Sequence, residues 1–309
     1  MIAVGVGLWW WTPWWPRIEI TAPGPTGQRI ATGHIFANYY PARGQQRGPA
    51  VLLLGGSEGG IGKSVTEDAR ALQSQGLSVL SLGYFGVHGQ PTSLERVPLE
   101  TFDRALAWLR VRREVDPQRT SVFGMSKGAE AALLVATRHP ELRAVIAGSP
   151  SSVVWPGVNR HSLDPAASWS VGGRSLPVLP YGPLRPSLFL GHLGTLYSGG
   201  LKGLSRHPDA IIPVEKIVGA VLLTCGDDDS LWPSCEMARQ VQARADRLHG
   251  PQVTVLAYRH AGHESVGVPL SPKSSDFGSL SRWGGTTLGN NGARADGWPK
   301  IIDLLRGGP

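Results

Sequence analysis

Ala50-Val51-Leu52-Leu53-Leu54 is apolar without interruption and stops at Gly55-Gly56. A strand with one wet face alternates apolar and polar residues. A run with no polar alternate has both faces covered, as in a parallel sheet packed between helices. Leu77 to Leu82 reads as another buried strand, and Arg119 to Phe123, Ala144 to Ile146, Ala220 to Cys225 and Val253 to Tyr258 as further strands. Helical spacing fills the gaps: Ser64 to Gln75 with Val65, Ala69 and Leu72 on one face, Leu99 to Val111 with Phe102, Leu106 and Leu109, Gly128 to Thr137, and Ser234 to Leu248. A short helix over Trp298 to Leu305 closes the chain. The alternation predicts an α/β architecture, a mostly parallel central sheet with helices on both faces. Ahead of it, Arg17 to Ile20 and Ile30 to Tyr40 read as two strands joined through Ala22 to Gly27, an antiparallel lead-in.

Between Ser149 and Val214 the alternation stops in favour of Gly, Pro, Ser and Trp, the composition of an irregular lid insertion that shapes a pocket. Residues 17–309 are therefore expected to form a single domain with a lid at about 149–214. The 309 residues carry a net charge of +7, spread from Arg17 to Arg306 without a basic run. That is a generally positive field, compatible with an anionic small substrate and giving no sign of a nucleic-acid partner. With 41% apolar residues and no glycine period or heptad, disorder, collagen and coiled coil are excluded. Cys225 and Cys235 lie in no metal-ligand spacing, and Cys225 at a strand end reads as a small buried hydrophobe rather than half of a disulfide. Residues 1–16 form an apolar leader with Trp9, Trp10, Trp11, Trp14 and Trp15, broken by Pro13 and too short to span a bilayer. Two readings stand for it: a strand or loop packing its indoles onto the domain, which is favoured, or an anchor remnant making a peripheral membrane contact. Compartment and oligomeric state are left open.

Gly124-Met125-Ser126-Lys127-Gly128 falls between a predicted strand and a predicted helix. In that context G-x-S-x-G forms a strained turn that lifts the serine hydroxyl above the carboxyl end of the sheet. Ser126 is the expected nucleophile, and the Lys127 amide at the helix start an oxyanion donor. A serine needs a base oriented by a carboxylate. After the strand Ala220 to Cys225 comes Gly226-Asp227-Asp228-Asp229, and after Val253 to Tyr258 comes Arg259-His260-Ala261-Gly262-His263. The chain order Ser, Asp, His is that of the α/β-hydrolase fold. Asp229 is the preferred acid with Asp228 as alternate, and His263 the preferred base, His260 being a surface or supporting residue. The loop Gly55-Gly56-Ser57-Glu58-Gly59-Gly60 should give the second oxyanion amide, from Ser57 first and Gly56 second. No metal and no cofactor is expected.

Gly55–Gly60, Gly83-Tyr84-Phe85-Gly86, Gly124–Gly128, Ile212-Pro213-Val214-Glu215, Gly226–Asp229 with Trp232, and Gly262-His263 together resemble the catalytic domain shared by acyl-CoA thioesterases and bile acid-CoA:amino acid N-acyltransferase, within the dienelactone hydrolase-like α/β-hydrolases. The resemblance runs from about Arg17 to Leu305. It implies cleavage of acyl-CoA thioesters by Ser126, Asp229 and His263. Familiar animal members carry an additional N-terminal β-sandwich, and the residues ahead of Arg17 are too few to hold one. Serine in place of the conjugating enzyme's cysteine resembles the hydrolytic branch. A carboxylesterase or lactone-type hydrolase on oxygen esters remains the alternative, and an acyl-CoA N-acyltransferase the third reading. Tyr84, Phe85, Trp155 and Trp232 are candidate substrate contacts, as are Trp169, Leu188 and Phe189 for pocket walls. Arg160, Arg174, Arg185, Lys202 and Arg206 are candidates for CoA phosphates, their alternative being a solvated lid surface.

Overall fold

The computed structural model describes residues 18–44, 47–159, 162, 164–183 and 193–307. The Trp-rich leader and the candidates Arg160, Arg185, Leu188 and Phe189 lie outside the described residues. The apolar runs build β4 (Gly48–Leu54), β6 (Ser78–Leu82), β8 (Val115–Met125), β9 (Ala144–Gly148), β12 (Ala220–Gly226) and β13 (Val253–Tyr258). With the hairpin β2 (Gln28–Thr32) and β3 (Ile35–Tyr40) they form one eight-stranded sheet, ordered β13-β12-β9-β8-β4-β6-β3-β2. Pairing is parallel from β13 to β6 and antiparallel at β3 and β2.

Both faces are covered, as the uninterrupted runs require. Along β4, Leu52 and Leu54 enter one core with Phe102, Leu106 and Leu109 of α2 (Glu100–Arg110) and the alanine-rich α3 (Lys127–Ala136). Val51 and Leu53 enter the other with Val65, Ala69 and Leu72 of α1 (Lys63–Ser74), and Trp298, Ile301 and Leu305 of α6 (Thr287–Arg306). These leucines are fully buried, so truncating one to alanine costs about 2–5 kcal/mol.

Four expectations need correction. Ile30 to Tyr40 is not one strand but a hairpin, turning at Gly33 with φ +57°. The lead-in strand β1 (Glu19–Ile20) pairs not with that hairpin but in parallel with β5 (Gly60–Ile61), inside the glycine-rich loop. The final helix is not Trp298 to Leu305 but the whole of α6, because a capped first turn and bonds from Asn290 and Arg294 to the loop after β13 offset a poor helix-forming sequence. Thr286 Oγ1 caps it by accepting from the Gly289 amide at 2.9 Å, and buried Asn290 ties its first turn to the Gly284 and Thr286 carbonyls. Finally, Cys225 and Cys235 are joined in a disulfide, with Cα atoms 5.1 Å apart. The segment between them folds back so that the second residue of α5 (Ser234–Arg247) meets the end of β12.

Residues 149–214, between β9 and β12, are less irregular than their composition suggests. They contain β10 (Trp169–Val171) and β11 (Arg174–Ser175), which join β7 (Val97–Pro98) in a small sheet, and α4 (Gly194–Leu201). Their buried residues Val153, Trp155, Leu179 and Leu201 form a third core with Trp232 and Met237.

Candidate active site

Ser126 stands between β8 and α3 with φ 55° and ψ −121°, a strained conformation for a residue with a side chain. The flanking glycines are dictated by contact. A Cβ on Gly124 would collide with the Gly128 carbonyl oxygen, and one on Gly128 with the Gly55 carbonyl oxygen. The tight elbow therefore also brings the Gly55–Gly60 loop against α3. The Ser126 amide donates to the Gly148 carbonyl at 2.9 Å, pinning the turn to β9.

His263 follows β13, and its Nδ1 lies 2.9 Å from Asp229 Oδ2. Both side chains are buried, at 7% and 1% exposure. Nε2 is buried and has no hydrogen-bond partner among the described residues, Ser126 Oγ included. Asp229 is held on every side: Oδ1 accepts from the Leu231 and Trp232 amides at 3.0 and 3.2 Å, and Oδ2 from Ser234 Oγ at 2.6 Å. Burial pulls the His263 pKa down, but the charge and hydrogen bond of Asp229, with Glu264 and Glu58, outweigh it and leave the imidazole above its ordinary value. The aspartate run is thus divided by geometry. Asp228 lies exposed, 3.8 Å from exposed His260, and Asp227 pairs with Arg239 at 3.0 Å.

In the Gly55–Gly60 loop, the Gly56 amide donates to Glu58 Oε1 at 2.8 Å. The amides of Ser57 and Lys127 make no hydrogen bond among the described residues. Tyr84, buried beneath the loop, donates its hydroxyl to the Gly55 and Gly56 carbonyls at 2.6 and 3.0 Å, and Phe85 packs against Gly59. Trp232 meets His263 edge-on, with ring centroids 5.8 Å apart, and Trp155 lies farther along the same aromatic chain. Arg174, Lys202 and Arg206 are on or near the insertion's surface.

Sequence reasoning missed several groups around these residues. Glu58 sits on the loop close to Ser126, both flanking Gly56, and burial raises its pKa. Ser149, with φ 46°, donates to the His263 carbonyl at 2.8 Å. Asp68 accepts from the Val268 amide at 2.8 Å and Arg294 donates to the Glu264 carbonyl at 2.7 Å, so α1 and α6 both grip the histidine loop. Burial pushes the Asp68 carboxyl up to about 6, opposed by the Val268 amide and Arg294. Glu130, four residues after Ser126, is fully buried and pairs with Lys127 at 2.8 Å. Burial drives both partners toward neutrality, lowering Lys127 and raising Glu130. The one available signal for Glu130 was a carboxylate in an otherwise apolar helix.

A serine on a strand-to-helix elbow, an acid after β12 and a histidine after β13, all at the carboxyl edge of a covered parallel sheet, make this chain an α/β hydrolase by fold. Residues 97–307 match the family model described as BAAT / acyl-CoA thioester hydrolase C terminal, and the chain belongs to that family. Relatives include rat acyl-coenzyme A amino acid N-acyltransferase 2, 26% identical, which covers 92% of this chain and 66% of the relative. Mouse acyl-coenzyme A thioesterase 3 is 28% identical, over 91% of this chain and 63% of its own. Mouse peroxisomal succinyl-coenzyme A thioesterase is 24% identical, over 91% and 65%. The chain thus spans slightly under two thirds of the length of these relatives. Among solved structures, a dienelactone hydrolase-like promiscuous phosphotriesterase from metagenomic libraries matches with TM-score 0.56 and 16% identity, over 91% of this chain and 97% of that one. A puromycin-hydrolyzing peptidase of Mycobacterium tuberculosis matches with TM-score 0.59 and 15% identity, over 92% and 40%. At such identities these two likenesses concern the fold alone.

Proposed function

We propose that this chain is a serine hydrolase that cleaves acyl thioesters of the acyl-CoA type through an acyl-enzyme on Ser126. The observation that carries the reading is His263, oriented by Asp229 at 2.9 Å, with Nε2 buried and unpartnered at the edge that also presents Ser126. His263 Nε2 takes the Ser126 proton while Oγ bonds to the acyl carbonyl carbon. The Lys127 and Ser57 amides hold the developing oxyanion, and Asp229 stabilises the imidazolium. Collapse breaks the carbon–sulfur bond, and His263 gives its proton to the leaving thiolate. Water then repeats the sequence, releasing the acid and restoring Ser126.

Membership of the acyl-CoA thioester hydrolase family supports the thioester as substrate. Because N-acyltransferases stand among the relatives, an amine accepting the acyl group in place of water is the competing fate of the acyl-enzyme. The test measures kcat/KM on a panel of acyl-CoA thioesters against matched p-nitrophenyl esters, with and without amino-acid acceptors, in the native chain and in Ser126→Ala. The thioester reading expects the CoA ester to exceed its oxygen ester by well over tenfold, with free acid as product and all turnover lost in Ser126→Ala. Simple esters reacting as well as CoA esters would make the chain a carboxylesterase. Acyl-amino acid as the main product would make it a transferase.

A further inference from the structure

Glu130 lies one helical turn beyond Ser126, fully buried, and its two oxygens have separate duties. Oε2 pairs with Lys127 Nζ at 2.8 Å. Oε1 accepts from two groups of the 149–214 insertion, the Trp169 indole Nε1 at 2.7 Å and the Trp155 amide at 3.1 Å. Each tryptophan leads to a different part of the candidate site. The Trp169 ring lies 5.7 Å from the ring of Tyr84, whose hydroxyl braces the Gly55 and Gly56 carbonyls of the oxyanion loop. From Trp155 the aromatic contacts run to Tyr197 at 4.9 Å, on to Trp232 at 5.4 Å, and to His263 at 5.8 Å. One oxygen thus joins the nucleophile helix to the supports of both other loops.

We propose that Glu130 is a positioning residue: through Oε1 it staples the insertion to the nucleophile helix and so keeps the oxyanion loop and the histidine loop in register with Ser126. A buried carboxylate is a costly way to fill space, since burying a charge is unfavourable unless every lone pair is used. Here the ion pair with Lys127 opposes the neutralising effect of burial, and an ionised acceptor makes the shorter, stronger bonds that two buried donors require. The ion pair serves the staple, and the staple serves the geometry. The inference rests on the reading of Ser126 as nucleophile.

Two double variants separate the staple from the charge pair. Lys127→Met/Glu130→Gln removes both charges but retains an amide oxygen to accept from Trp155 and Trp169. Lys127→Met/Glu130→Met removes the charges and the acceptor together, leaving no unpaired buried charge. The full chain is labelled with a fluorophosphonate probe, in which Ser126 Oγ bonds to phosphorus and fluoride leaves. Kinetics on a short p-nitrophenyl ester are measured in parallel, and near-UV circular dichroism checks the packing of the tryptophans. The expected result is that the Met double variant reacts on the order of 10²-fold more slowly than the Gln double variant, the size of effect a misplacement of about 1 Å produces; both carry the same Lys127→Met change, so their ratio reads the acceptor alone. The loss should fall on kcat with KM little changed, because the short ester does not fill the insertion.

Trp169→Phe, which keeps the ion pair and removes one leg of the staple, should slow acylation by a smaller factor and remains informative if the Met double variant does not fold. Equal rates in both double variants, fast or slow, overturn the proposal, as does a Trp169→Phe enzyme that acylates at the native rate. A native chain that is not labelled at all overturns instead the reading of Ser126, a result that cannot be mistaken for the others.

Discussion

The carboxyl edge of the sheet and the 149–214 insertion meet at the same site but are held in place by different physics. Ser126, Asp229 and His263 hang from the ends of β8, β12 and β13, whose positions are fixed by repeated backbone bonds from strand to strand. The insertion has short ladders of its own, but its grip on the site runs through individual side chains: one oxygen of Glu130, and the ring contacts of Trp155, Tyr197 and Trp232. A ladder averages its strength over many equivalent bonds, whereas a staple concentrates it in one. Substitutions in the sheet core should therefore lower stability while sparing the chemistry, and substitutions in the insertion should do the reverse.

The sharpest effects belong to the edge residues. Ser126→Ala should reduce turnover on the order of 10⁶-fold, and Asp229→Asn on the order of 10⁴-fold. Asp228→Asn, altering an exposed carboxylate, should stay within about twofold. Steady-state kinetics on one ester decide this, and equal losses at the two aspartates would break the assignment of Asp229. In the sheet, Leu53→Ala should cost about 2–5 kcal/mol in urea unfolding with kcat/KM unchanged, and a fall in kcat/KM at a temperature where the variant is folded would break the contrast. The disulfide tests the loop that carries the acid. Cys225→Ala/Cys235→Ala should lose about 3 kcal/mol, the entropy of closing so short a loop, read as a lower urea midpoint.

Two pH experiments sharpen the account of the histidine loop. Asp68, raised from 3.8 to about 6 in the folded state, contributes stability that is present below its unfolded pKa and lost as pH rises through about 6. Asp68→Asn keeps an acceptor for the Val268 amide and escapes that loss. It should match the native chain near pH 4 and exceed it above pH 6, by at most about 3 kcal/mol, when unfolding is followed across pH. The smallest effect expected is in the rate profile. His263 must be neutral to accept a proton, and its pKa is raised, so kcat/KM on a short ester should fall as pH drops through a midpoint above 6.5. A midpoint at or below the ordinary histidine value would mean that Asp229 does not govern the imidazole.

The same division between ladder and staple explains what the sequence disclosed. Strands buried on both faces write themselves as apolar runs, so a mostly parallel sheet covered by helices could be anticipated, and G-x-S-x-G put Ser126 on the turn between strand and helix. Asp229 and His263 followed from their places after two such runs. What local pattern does not encode was missed. Gly33 splits an apparently continuous strand, and α6 begins well before Trp298 because Asn290 and Arg294 are held by the histidine loop rather than by helix propensity. The Cys225–Cys235 bond depends on how the acid loop folds back, which spacing alone does not reveal. Glu130 and Ser149 bond to residues distant in sequence, and such neighbours leave no periodicity to read.

The pairing of β1 with β5 gives the two ends of the described chain opposite surroundings. Ile18 and Ile20, both partly exposed, lie against the glycine-rich loop at the carboxyl edge of the sheet. At the other end, the Arg306 carbonyl accepts from Arg119, near the amino ends of the same strands. Ile18 thus stands beside the loop that flanks Ser126, and Gly307 near the opposite end of the strands. A label on exposed Ile20 would therefore sense the glycine-rich loop, and one beside Gly307 would not.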